Sequence, residues 1–126
     1  MSDIIATRHF RTSKEGRVVA RIYAPEPIAK TSEWSCKIGL SGLDASYEQV
    51  AIGVDSFQAL YLGLRLLCTE IDKRAATLRF LDGDEGDLDT PFILTWSYGP
   101  ALKEEVRRLI NGKIKDALEA GPGRQE

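Results

Sequence analysis

The first half of the chain alternates apolar and polar residues, the period expected of half-buried strands. Arg17 to Ala24 sets Val18, Ala20, Ile22 and Ala24 on one side, and Arg17, Val19, Arg21 and Tyr23 on the other. Trp34 to Ser41 repeats the pattern: Trp34, Cys36, Ile38 and Leu40 read as inward, Ser35, Lys37, Gly39 and Ser41 as outward. Ile4 to Arg11 predicts a weaker first strand, joined to the second through a hairpin-like connection at residues 12–16. Tyr47 to Val54 predicts a fourth, with Val50, Ile52 and Val54 on one face. One face wet and one face apolar is the mark of an antiparallel sheet.

From Phe57 the period changes to that of a helix. Phe57, Leu60, Tyr61, Leu64, Leu67, Cys68 and Ile71 form one apolar side, and Ala59, Leu62, Gly63 and Leu66 a second. One side is expected on the sheet, and the other needs a further cover, either the C-terminal helix or a second copy of the chain. Gly63 lowers helix propensity, which makes sense if a neighbour approaches closely there. Asp55 is the expected N-cap, with Gln58 completing a capping-box-like pair. Lys73 and Arg74 suit the negative end of the helix.

Thr77 to Leu81 predicts a short strand, residues 82–87 an acidic loop, and Phe92–Tyr98 another strand, rich in β-formers. After Gly99-Pro100, the stripe Leu102, Val106, Leu109, Ile110, Ile114 and Leu118 predicts a C-terminal amphipathic helix, with Glu104 and Arg108 as a surface pair and Asn111-Gly112 as a weak point. The expected architecture is α+β: an antiparallel sheet of four to six strands, one long helix packed on its inner face and a second C-terminal amphipathic helix. Residues 1–120 would form one domain, and 121–126 a disordered tail.

Composition agrees with a folded domain. At 126 residues, 43% hydrophobic and 29% charged, the chain can bury roughly two-thirds of its unfolded surface without disulfide or metal staples. A net charge of −2 argues against general attraction to nucleic acid or membranes, though a local basic face stays open. The residues after Met1 form no signal peptide, and the apolar stretch from Phe57 to Ile71 is too short and too polar to span a bilayer. The expectation is a cytoplasmic protein.

The stretch Ala51-Ile52-Gly53-Val54-Asp55-Ser56-Phe57-Gln58-Ala59-Leu60-Tyr61-Leu62-Gly63-Leu64 resembles a bacterial family known only as a domain of unknown function. The likeness reaches back through Val18–Ile22, Trp34-Ser35-Cys36 and Gly42-Leu43. It runs forward through Thr77–Leu81 and Gly86-Asp87-Leu88. Phe80 stands near where the pattern commonly has Trp, and Gly63 where Ala is usual. The segment from Phe92 onward looks added. The resemblance implies a small bacterial domain and brings no activity, cofactor or catalytic residue with it.

Candidate chemistry is sparse. His9 is the sole histidine, and Cys36 and Cys68 lack zinc-site spacing, so His9 reads as a strand surface residue and both thiols as core. A Cys36–His9 nucleophile pair lacks a third orienting group. Asp82, Asp84, Glu85, Asp87 and Asp89 fail the calcium-loop test, with Asp87 where Gly is needed and Ile93 where Glu is needed. No catalytic residue, metal or cofactor is expected. The remaining feature is the outward sheet face, where Arg17, Arg21, Tyr23 and Lys37 project together, with Arg11 or His9 beside them.

Three readings of function follow. The favoured one is a non-enzymatic interaction module, binding a protein partner or a second copy through the helix side that carries Leu62 and Leu66. The alternative is a binder of nucleic acid or an anionic ligand through Arg17, Arg21 and Lys37. An enzyme of unrecognised type ranks last.

Overall fold

The structure is a computed structural model that describes residues 3–42, 46–91 and 99–120. The chain divides into two units, residues 1–95 and 96–126. The first holds strands β1 (Ile4–Thr12), β2 (Arg17–Tyr23), β3 (Glu26–Pro27), β4 (Trp34–Ser41), β5 (Tyr47–Gly53) and β6 (Leu78–Arg79) with helix α1 (Ser56–Asp72). The second holds helix α2 (Pro100–Glu119). The fold is α+β, with a six-stranded antiparallel sheet.

The registers fix the strand order. Ile38 of β4 pairs with Ile22 of β2 on one edge and with Gln49 of β5 on the other. Ser35 likewise pairs with Glu26 of β3 and with Ile52 of β5. β3 therefore continues β2 along the same edge of β4, and the order across the sheet is β5-β4-β2/β3-β1-β6. A register shift between Ile4 and Ala6 kinks the start of β1. Phe10, Val18, Ala20, Ile22, Cys36 and Ile38 point to the inner face and are buried under α1.

The start of α1 is closely specified. Asp55 Oδ1 accepts the Gln58 amide at 2.7 Å, as a capping residue should. The reciprocal bond shifts by one residue: the Val54 amide donates to Gln58 Oε1, also at 2.7 Å. Gly53 lets the helix come down on the strand end, since a Cβ there would sit 2.9 Å from the Ala59 Cα.

The helix is rotated from the side its large residues suggest. Ala59, Gly63, Leu67 and Ile71 are buried, with Leu60, Leu64 and Leu66 packed beside them, while Phe57 is exposed. The physical reason lies at Gly63, where an added Cβ would lie 2.8 Å from the Cys36 Sγ and 3.2 Å from its Cβ. Small residues let the helix sit down on β4, and the bulky Phe57 and Tyr61 turn aside, edge to face with ring centroids 5.7 Å apart. The side carrying Ala59 and Gly63 is thus covered by the sheet itself.

Other expectations shift as well. Val50 and Ile52 occupy the outer face, because they pair with Lys37 and Ser35. The strand expected over Thr77–Leu81 shrinks to Leu78–Arg79 after a 3-10 turn at Ala75–Thr77. The Gly83 amide turns back to the Phe80 carbonyl, and Leu81 adopts φ 55°, so extension stops there. Arg8 holds the following loop: its guanidinium donates to the Leu88 and Asp89 carbonyls at 3.1 and 2.7 Å and lies over the Phe80 ring. The strand expected over Phe92–Tyr98 and the tail at 121–126 lie outside the described residues.

α2 runs unbroken through Asn111-Gly112; a single helical glycine costs only about 1 kcal/mol, and nothing crowds Gly112. Pro100 occupies its first turn, where a missing amide is harmless. Glu104 pairs with Arg107 at 3.0 Å, one helical step short of the expected Arg108. None of its residues is buried. No helix among the described residues is long and apolar enough to cross a membrane.

Candidate functional site

The outer sheet face collects every basic residue expected there. Cross-strand pairing sets Arg17, Val19, Arg21 and Tyr23 of β2 beside Thr7, His9 and Arg11 of β1, and Ser35, Lys37 and Ser41 of β4. Both His9 and Arg11 share this face, since they pair with Val19 and Arg17. Arg79, which the strand pattern gave no reason to single out, joins them opposite Arg11. Its contribution depends on β6 pairing with β1, a tertiary event.

These cations differ in their partners. Lys37 lies 4.6 Å over the Tyr23 ring and 3.5 Å from the Glu48 carboxylate. Arg21 donates to the Ser41 hydroxyl at 2.6 Å. Arg11 faces Asp82 at 3.5 Å, and Arg79 faces Glu85 at 3.3 Å. Arg17 has no ion pair or hydrogen bond from its side chain among the described residues. Lys37, Tyr23 and Arg21 are thus held in place, whereas Arg17 has no comparable partner among the described residues.

The second surface is the β5 edge. β5 pairs with β4 on one side, and no strand pairs with its other side among the described residues. Along and just beyond it, Val50, Ile52, Val54 and Phe57 are 51, 53, 69 and 75% exposed. Scattered apolar side chains on a surface are ordinary, but four within eight residues of an open strand edge are not. Leu62 and Leu66, expected to carry the partner surface, are half-buried, and Leu66 packs against the core.

The inner face offers little chemistry. Cys36 and Cys68 are free and buried, and burial pushes both thiols up from 9.0, with Asp72 adding to the rise at Cys68. His9 lies on the outer face and Cys36 on the inner, so the sheet separates that pair. A cavity of about 250 Å³ opens between β1, β2 and α1, walled by Ala6, Ala20, Ile22, Leu64, Leu67 and Cys68. Arg8 also lines it, with its guanidinium committed to carbonyls. Among the described residues, no three His, Cys, Asp or Glu side chains gather as a metal site. The acidic loop instead supplies single carboxylates to Arg8, Arg11 and Arg79.

Neither the curated proteins nor the solved structures contain a significant match to the chain. Residues 6–92, from β1 through α1 and the acidic loop, match a family described as a domain of unknown function. That span takes in both surfaces and the helix that supports them, and on it the chain belongs to the DUF6968 family.

Proposed function

We propose that this protein is a non-enzymatic interaction module that pairs with a second copy of itself through the β5 edge. The observation that carries the reading is a seven-residue strand edge that no strand pairs among the described residues, flanked by exposed Val50, Ile52, Val54 and Phe57. Soluble proteins blunt such edges with Pro, Lys, bulges or a covering segment. β5 has no Pro, Lys or Arg, pairs with β4 without a register shift, and carries one charge, Glu48.

A second copy suits this edge. Antiparallel pairing about Val50 sets Val50 against its own symmetry mate and Glu48 against Ile52 of the other chain. The two Glu48 carboxylates then stand at opposite ends of the interface, so no like charges meet. Backbone hydrogen bonds complete the ladder, and the apolar side chains cluster at the centre, where affinity concentrates.

Light scattering over a concentration series tests this. The expected result is twice the chain mass for the wild type and the chain mass for Val50→Lys, with both proteins folded by circular dichroism. A wild-type monomer at millimolar concentration, or a Val50→Lys protein that still dimerises, would overturn the proposal.

A further inference from the structure

We infer that the outer face holds a site for a compact phosphoryl anion, built on Arg17, Arg11 and Arg79. The registers set Arg17 of β2 directly opposite Arg11 of β1, and Arg11 directly opposite Arg79 of β6. Three guanidinium-bearing side chains therefore share one rung across three neighbouring strands, which at normal strand spacing spans about 10 Å. Like charges directly opposite one another destabilise a sheet. A fold that keeps three in a row gains whenever an anion bridges them.

The counterions supplied by the chain are weak. Asp82 meets Arg11 at 3.5 Å and Glu85 meets Arg79 at 3.3 Å, each through a single nitrogen and with both partners solvated. Exposed single contacts of this kind contribute little and exchange readily. Arg17 has no such partner among the described residues. The rung borders a depression of about 450 Å³ lined also by Thr12, Ser13 and Gly16 and by the carboxylates Glu15 and Glu85.

The charge count points to the ligand class. A monocarboxylate would only replace what Asp82 or Glu85 already provides. To displace both and engage Arg17, a ligand must carry two or more negative charges on closely spaced oxygens. Phosphate and pyrophosphate groups meet that need, and guanidinium forks match their oxygens in pairs. Asp82 and Glu85 then act as internal competitors that the anion expels.

Calorimetric titration of the full chain with pyrophosphate at low ionic strength tests the site. Binding should weaken by ~10-fold in Arg17→Gln and further in Arg11→Gln/Arg17→Gln. It should tighten severalfold in Asp82→Asn/Glu85→Gln, remain unchanged in Arg108→Gln, and fall steeply with added salt. A short single-stranded oligonucleotide, titrated in parallel, separates a free phosphorylated ligand from a nucleic-acid backbone; arginine-dependent binding of either supports the site. Absence of binding by both, or equal affinity in Arg11→Gln/Arg17→Gln, overturns it, and so does unchanged or weaker binding in Asp82→Asn/Glu85→Gln. Val50→Lys should bind pyrophosphate like the wild type, which keeps failure here separate from failure of the self-pairing.

Discussion

Replacing Gly63 with alanine ordinarily strengthens a helix by about 1 kcal/mol. Here it should do the opposite. The new Cβ would lie 2.8 Å from the Cys36 Sγ, 3.2 Å from its Cβ and 3.6 Å from Ile38 Cγ2. Cys36 is fully buried on β4, so its sulfur has nowhere to retreat, and either α1 lifts or the strand bends. Overpacking of this kind costs about 1–3 kcal/mol. Set against the propensity gain, the expected net loss is up to about 2 kcal/mol, read as a lower urea midpoint with an unchanged slope. Cys36→Ala removes the obstructing atom along with a weak bond from the thiol to the Tyr23 carbonyl at 3.3 Å. The double variant should therefore be more stable than the sum of the single effects predicts, by about 1 kcal/mol or more. If Gly63→Ala equals or exceeds the wild type, or the two changes simply add, the close seating of α1 on β4 is refuted.

Three further outcomes follow from contacts within the first unit. Gly53→Ala should lower stability by more than Gly63→Ala, because its Cβ would strike the backbone of Gln58 and Ala59 rather than a side chain; thermal unfolding compares them. Glu70 is buried near the end of α1, and the hydrogen bond from Lys73 at 2.9 Å, helped by Arg74 at 3.2 Å, holds its carboxyl below the ordinary 4.5 despite desolvation. Its folded form thus binds a proton less readily than its unfolded form, so its support is complete above about pH 4.5 and fades as acid protonates it. Glu70→Gln should cost about 1–2 kcal/mol at pH 7 and nearly nothing at pH 2–3 in urea titrations; a gap independent of pH would contradict the pairing. Arg8→Met should keep the fold while releasing the loop around Leu88 and Asp89, seen as faster amide exchange or proteolysis there, and an unchanged pattern would show that the guanidinium does not hold it.

Much of this fold can be read from residue patterns. Alternation over Arg17–Tyr23 and Trp34–Ser41 marks strands and their inward sides, and Asp55 with Gln58 marks the start of α1. The rotation of α1 cannot be read the same way, because apolar periodicity gives weight to large residues such as Phe57 and Tyr61. Seating against β4 instead demands small ones, Ala59 and Gly63. Val50 and Ile52 mislead for a related reason: their spacing fits either face, and only pairing with Lys37 and Ser35 turns them outward. The basic face is partly legible, since Arg17, Arg21 and Lys37 share a parity on strands that alternate clearly. The sequence offers Arg11 or His9 beside them and the register of β1 with β2 admits both, whereas Arg79 enters only through the pairing of β6 with β1, which no local pattern specifies.

The two sequestered thiols carry a consequence for how the molecule moves. Cys36 sits beneath Gly63, and Cys68 borders the apolar hollow between α1 and the first two strands. The Cys36 sulfur cannot meet an alkylating reagent until α1 parts from the sheet, whereas Cys68 is within reach of a reagent small enough to enter the hollow. The Cys36 modification rate would thus time that separation, and the Cys68 rate the entry of reagent into the hollow.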